Sequence, residues 1–232
     1  MTTYKYKIAI HNQTFPIFIR RHKRARRIVL RYQPLRGAIG LTLPRHATIR
    51  QGLDFIASKE AWIAGEVLHH RHKIPFADGT VLPILGTQYT LCHAGGRGTV
   101  TVQDNKILVH GDVAFMARRV GDWIKRTAYE TISELAHLYA KKLNVVIKKI
   151  SLRDTGSHWG SCNTEGRLSF SWRLAFAPRE ILEYVVCHEV AHLLEMNHSK
   201  AFWQIVASIC PHWQSSRKWL KQQGNKLYLY GA

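Results

Sequence analysis

The stretch Cys187-His188-Glu189-Val190-Ala191-His192-Leu193-Leu194-Glu195-Met196-Asn197-His198 decides both the fold and the chemistry expected of this chain. On a helix, residues four apart share a face, so His188 and His192 each present a ring nitrogen to one point. Glu189 is rotated by about 100° from His188, where a carboxylate reaches a metal-bound water without ligating the metal. His198 follows His192 by six residues, enough for the helix to end near Asn197, turn, and supply a third imidazole. Three protein ligands with a fourth position open is the pattern of a catalytic zinc site, whereas a structural site is closed by four.

The chain holds 14 His, yet chance yields only ~0.03 HExxH matches in a chain of this length and composition. The local context also favours design over accident. Ile181, Leu182, Val185 and Val186 form an apolar helical stripe and Pro178 suits a first helical turn, so the motif is expected on an amphipathic helix. Downstream residues exclude the metzincin pattern, because its turn glycine is Glu195 here and no methionine follows Met196. Glu195, three residues after His192, is expected to face solvent or to brace a ligand ring.

The run HEVAHLLEMNHSKAFW (residues 188–203), preceded by SHWGSCNTEGRLSFSWRLAFAP (residues 157–178), resembles the YgjP-like zinc metallopeptidases, relatives of the SprT and Spartan proteases. That family's pattern reads approximately RWGSC, a strand ending in NWRL, HExxH and then NHSxxFW. The likeness covers nearly all of residues 150–220. It implies that His188, His192 and His198 hold one Zn²⁺ per chain and that Glu189 is the catalytic base. Two positions depart from the pattern: His158 stands where an arginine is expected before Trp159, and Ser171 where an asparagine is expected before Trp172.

The 46% apolar composition with seven Trp is that of a globular protein, and 232 residues bury one large core or two modest ones. MTTYKYKIAI alternates polar and apolar residues, unlike a signal peptide, and no run of 18 apolar residues occurs. A cytoplasmic protein with no membrane partner is therefore expected. Cys92, Cys162, Cys187 and Cys210 are scattered without a CxxC pair, so neither a disulfide framework nor a four-thiolate zinc site is implied. Cys187 reads as a small buried apolar residue.

The excess of 34 Lys and Arg over 15 Asp and Glu, a net +19, attracts polyanions and says nothing about the fold. Its densest run is Arg20-Arg21-His22-Lys23-Arg24-Ala25-Arg26-Arg27. A solvated hairpin end and a weak nucleic-acid contact explain this run equally well.

Residues 4–10, 15–20, 28–32 and 38–43 alternate as short antiparallel strands. A helical pattern of Ile49, Leu53, Ile56, Trp62, Ile63 and Val67 then spans residues 48–73. Strands at 81–85, 88–92, 98–102 and 106–109 are punctuated as in hairpins by Gly86, Gly95-Gly96 and Asp104-Asn105. After Asp112, a suitable N-cap, a long helix runs to about residue 143. Strands at 145–153 and 166–172 flank the WGSC turn, followed by the HEVAH helix and helices at 199–209 and 213–223. Lys141, Lys142, Lys148 and Lys149 suit either the substrate region beside these strands or ordinary surface. No internal repeat, low-complexity tract or phosphate-binding glycine motif stands out.

These patterns give an α+β fold: a zincin-like core, with the HExxH helix packed on a small antiparallel sheet, preceded by a β-rich region. The expected division is 1–112, β-rich with one helix, and 113–232, the metallopeptidase domain. The expected activity is zinc-dependent hydrolysis of a protein or peptide, with Glu189 taking a proton from water and returning it to the leaving amine. His158, Arg173, Tyr184 and His212 are unranked candidates for stabilising the transition state. The competing class is a basic nucleic-acid-binding protein with a structural or vestigial zinc site, and the two combine in a protease recruited to DNA.

Overall fold

A computed structural model describes residues 3–10, 13–71, 73–156 and 158–231; Ser157 of the quoted motif and His72 of the expected 48–73 helix lie outside them. The chain forms two compact units, Met1–His72 and Lys73–Ala232.

In the first unit, β1 (Thr3–Ile10), β2 (Gln13–Arg21), β3 (Val29–Gln33) and β4 (Ala38–Leu43) form a sheet of order β1-β2-β4-β3. The outer pairs are antiparallel, but β2 and β4 run parallel, correcting the all-antiparallel expectation. Alternation sends Phe15, Ile17 and Ile19 of β2, with Ile39, Leu41 and Leu43 of β4, into one buried cluster. Ile56 and Val67 join it from two helices, α1 (Ile49–Ala57) and α2 (Glu60–Arg71). A Thr48–Gln51 capping box starts α1. One continuous helix was expected here. Instead the chain breaks at Ser58, whose hydroxyl donates to the Phe55 carbonyl at 2.8 Å, a local bond that competes with helix continuation.

The second unit opens with β5 (Val81–Ile84), β6 (Thr87–Gly95), β7 (Val100–Gln103) and β8 (Lys106–His110), in the order β5-β6-β8-β7. Its pairings are again antiparallel, parallel and antiparallel, so the first sheet's arrangement recurs although no sequence repeat announces it. Asp112 caps a short 3-10 turn at Val113–Phe115, accepting from the Ala114 amide at 2.8 Å, and that turn leads into α3 (Met116–Leu143). Asn144, in the left-handed region at φ 53°, ends α3.

Next come β9 (Lys149–Arg153), β10 (Gly160–Cys162) and β11 (Arg167–Ser171), in the order β10-β11-β9. This sheet is mixed, not antiparallel. The WGSC segment, read from sequence as a turn, contributes the edge strand β10 antiparallel to β11, which leaves β9 and β11 parallel. The chain then makes α4 (Arg179–Ala191), α5 (Lys200–Ile209) and α6 (Trp213–Gln223). Ile74 donates to the Leu229 carbonyl at 2.8 Å and pairs with Tyr230, tying together the two ends of the unit.

One core joins Leu82, Leu91 and Ile107 of the β5–β8 sheet to Ile124 and Ile132 of α3, Phe170 of β11, Val186 of α4 and Phe202 of α5. This shared core moves the division from the expected 112/113 to 72/73, because the second sheet buries its apolar face with α3 and α4. Among the described residues, no helix is long and apolar enough to cross a membrane.

Candidate metal centre

Pro178 stands at the N-cap of α4, one position before the expected first turn, where its missing amide costs nothing. Ile181, Leu182, Tyr184, Val185, Val186 and the fully buried Cys187 then hold α4 in the core. That burial fixes the direction in which the ligand face points. His188 and His192 lie one turn apart with ring centroids 4.9 Å from each other. The helix stops at Ala191, well short of the expected Asn197, and the amides of Leu193, Leu194 and Glu195 turn back onto Val190 and Ala191. His198 stands in the turn before α5, whose N-cap Ser199 accepts from the Phe202 amide at 3.2 Å.

The turn brings the three imidazoles together: their ligand atoms all lie within 4.8 Å, and His188 Nε2 is 3.0 Å from His198 Nε2. Ring nitrogens this close either share one proton in an N–H···N bond or turn both lone pairs towards one cation. Tetrahedral zinc at about 2.0–2.1 Å from each nitrogen separates a pair by roughly 3.3 Å, so the donor set fits such an ion. The tautomer of His192 fits too. Its Nδ1 donates to the Glu195 carbonyl at 3.0 Å, leaving the Nε2 lone pair for a metal. Glu195 therefore braces the His192 ring, one of the two roles expected of it, through its backbone; its carboxylate accepts from the Asn197 amide at 3.1 Å. Burial, then the fields of His192, His198 and Arg217, hold His188 down to about 3, so its ring is neutral and ready to ligate. Burial and the same kinds of neighbour also lower His198.

Phe202 and Trp203 wall the cluster. Phe202 stacks on His192 at 4.4 Å, and Trp203 lies 5.7 Å from His188 and 5.8 Å from His198. Glu189, next to His188 on α4, is buried, only 6% exposed, and burial pushes its carboxyl up to about 8. A carboxyl tuned near neutrality both takes and returns a proton readily. Its place depends on β10. A Cβ built on Gly160 would stand 2.5 Å from the Glu189 Cγ and 2.7 Å from its Oε1, so only glycine lets the strand backbone lie against the acid.

The four stabiliser candidates separate by position. Tyr184 is buried one turn before His188, ring centroids 5.9 Å apart, and burial pushes its hydroxyl up to about 12. Arg173 is committed to the fold. It grips Asp154 through Nε at 2.7 Å and Nη2 at 3.1 Å, donates Nη1 to the Tyr230 carbonyl, and stacks on Trp172 and Tyr228. His212 Nε2 lies 3.2 Å from the Glu180 carbonyl, at the start of α4, about 12 Å along the helix axis from His188 at 1.5 Å per residue. His158 is exposed before β10, its carbonyl accepting from the Thr155 hydroxyl at 2.6 Å. At the second departure from the family pattern, the Ser171 hydroxyl is buried without a hydrogen-bond partner among the described residues.

Sequence reasoning missed Gly160 and Arg217. Arg217 on α6 stacks on Trp203 with Cζ 4.8 Å from the ring centroid. A signal existed: Arg217 follows Trp213 by four residues and so shares its helix face. It missed a cleft of about 440 Å³ beside His192 as well, lined by Val145, Val146, Leu193 and Met196, with Lys148 and Asn163 among its polar residues. In the first unit, the basic run joins β2 to β3. Arg20 donates to Thr42 Oγ1 at 3.0 Å, Arg21 donates to the carbonyls of Arg45 and Ala47, and Lys23, Arg24, Arg26 and Arg27 are exposed.

A family model described as YgjP-like, metallopeptidase domain, matches residues 26–223. Among curated proteins, the chain is similar to a UTP pyrophosphatase of Escherichia coli (strain K12), 29% identical over 91 residues, which are 37% of this chain and 54% of the relative. The chain thus spans about half the length of that relative. Among solved structures it is similar to the metallopeptidase zymogen of Pyrococcus abyssi abylysin, at 20% identity and a TM-score of 0.36, over 40% of this chain and 95% of that one. A likeness that remote carries neither fold nor chemistry.

Proposed function

The chain belongs to the YgjP-like metallopeptidase family, and on that premise we propose that it hydrolyses peptide bonds at one zinc ion held by His188, His192 and His198, within a zincin-like core. The observation that carries this reading is the convergence of three imidazole donors within 4.8 Å, with the buried carboxyl of Glu189 next in the chain to His188. Zinc, when bound, polarises a carbonyl and brings the pKa of a water towards neutrality. Glu189 takes the proton of the attacking water and delivers it to the departing amine, a role suited to a carboxyl raised to about 8. The Glu195 carbonyl keeps the His192 ring oriented. Phe202 and Trp203 pack against the imidazole rings and leave His198 open to solvent. An extended substrate pairs along the free edge of β10, which passes directly over Glu189, and places an apolar side chain in the cleft beside His192.

The printed name of the Escherichia coli relative supplies a second reading, release of pyrophosphate from UTP at the same centre. Arg217, which stacks on Trp203 and among the described residues makes no hydrogen bond or ion pair, suits a phosphate as well as a carbonyl oxygen. The exposed basic run adds a weak nucleic-acid contact to either reading, with Lys23, Arg24, Arg26 and Arg27 free to reach phosphates.

The deciding experiment gives the zinc-loaded chain a denatured protein and, separately, UTP. New peptide termini with no pyrophosphate are expected. Pyrophosphate release without peptide cleavage would replace the first reading with the second.

A further inference from the structure

We infer that Arg217 is the anion-binding residue of this centre, donating to the oxygen that gains negative charge when a substrate carbonyl is attacked beside the three histidines. This rests on the peptidase reading and gives it an oxyanion donor from outside the four candidates of the sequence analysis.

Three observations carry the inference. The first is position. Trp213 and Arg217, four apart on α6, both meet Trp203, the one by ring stacking at 4.5 Å and the other with Cζ 4.8 Å from the centroid. The same Trp203 ring lies 5.7 Å from His188 and 5.8 Å from His198. Arg217 is thus fixed over the aromatic residue that borders two of the three ligands. The second is continuity: the Trp203 ring also packs edge-on against Phe202, ring centroids 5.1 Å apart, and Phe202 lies 4.4 Å from His192 and 4.8 Å from His198. The third is availability. Among the described residues Arg217 makes no hydrogen bond or ion pair, whereas Arg173, also stacked on aromatic rings, is spent on Asp154 and Tyr230. A guanidinium stays charged across the working pH range and presents its donors as a planar fork, and stacking orients that fork in advance. Unpaired arginines are common on surfaces; one oriented by an aromatic ring against a ligand cluster is not.

The step balances without a proton from Arg217. Water oxygen bonds to the carbonyl carbon, the proton passes to Glu189, and the carbonyl π pair becomes a charged lone pair on oxygen, which Arg217 meets. When the C–N bond breaks, that pair re-forms the carbonyl and the Glu189 proton goes to nitrogen. Because the charge exists only after attack, the contact acts on kcat more than on KM.

The test compares the zinc-loaded full chain with Arg217→Met, which keeps an apolar stem against Trp203, and Arg217→Lys, which keeps the charge and loses the fork. Zinc content and Tm are expected to stay at wild-type values in both. For a cleaved fluorogenic peptide, Arg217→Met should lower kcat about 10²-fold with KM within about threefold, and Arg217→Lys should recover part of the loss. Calorimetric affinity for N-phosphoryl-leucyl-tryptophan, whose tetrahedral anion stands in for the attacked carbonyl, should fall at least about tenfold in Arg217→Met. Loss of zinc in that variant would make Arg217 a builder of the site and overturn the inference. So would unchanged kcat with unchanged affinity for the phosphoryl dipeptide. If the wild-type chain cleaves no peptide, the peptidase reading fails and the calorimetric arm alone decides: tighter binding to wild type supports an anion site at Arg217, and equal affinities overturn it.

Discussion

The turn carrying His198 and the loop carrying residues 20–27 are both exposed connections between regular elements, and both are dense in nitrogen-bearing side chains. Their order differs sharply. In the first, a backbone turn, the Ser199 cap and the Phe202 wall bring imidazoles from α4 and the turn to within 4.8 Å of one another. In the second, Arg20 and Arg21 are spent on Thr42 Oγ1 and on nearby carbonyls, and the remaining basic side chains point to solvent without converging. Chemistry follows convergence, and charge density alone supplies only a field.

The largest break in this contrast should come from His198→Ala. Losing a ligand should weaken zinc by more than the roughly 10–100-fold that loss of an outer partner costs. The Tm with zinc present should fall towards the metal-free value, since binding to the folded state alone stabilises it. Zinc titration with a competing chelator, alongside thermal melts, measures both. Full zinc affinity in the variant would remove His198 from the site.

Gly160→Ala tests the other wall. Its Cβ would stand 2.5 Å from the Glu189 side chain, so the base must move while the histidines stay. Zinc content should be unchanged and cleavage should fall by about 10²-fold or more, the share that proton transfer supplies. A variant of normal activity would mean that β10 yields to the acid at little cost.

The histidine spacing was legible because α-helical geometry is local: four residues place His188 and His192 on one face whatever surrounds them. The third imidazole of the cluster also followed from spacing, although the helix ends six residues before Asn197. What the sequence hid was non-local. Parallel pairing of β2 with β4, of β6 with β8, and of β9 with β11 leaves no mark in an alternating pattern, so all three sheets read as antiparallel. The division at 72/73 depends on which core receives the β5–β8 face, a choice made by packing. Arg217 resembles any other basic residue until α6 is placed against Trp203. Arg173 had looked like a site residue and proved to be a clamp on Asp154.

A smaller effect should appear in the stability of the metal-free chain. The folded-state value of Glu189, about 8, lies above its ordinary 4.5, so the folded protein keeps a proton that the unfolded chain releases. This group's contribution is therefore complete below about 4.5 and is lost as pH rises towards 8. Urea unfolding across pH 7–8, above the ordinary value of 6.5 for His188, should show wild-type stability declining more steeply than that of Glu189→Gln. Identical slopes would place Glu189 in water.

The smallest effect belongs to the basic loop. Neutralising Lys23, Arg24, Arg26 and Arg27 together should weaken DNA binding at about 50 mM salt and flatten its salt dependence, with zinc content unmoved. Undetectable binding by the wild-type chain would leave the loop a solvated surface.

The most direct test of the central claim, hydrolysis driven by Glu189 beside a three-histidine zinc site, is Glu189→Gln assayed for zinc and for peptide cleavage in one preparation. The substitution keeps size and hydrogen-bonding capacity while removing the proton-accepting carboxylate. Zinc stoichiometry should remain near one per chain while cleavage falls at least about 10²-fold. Undiminished turnover with full zinc would contradict the claim, and loss of zinc would turn Glu189 from base into ligand.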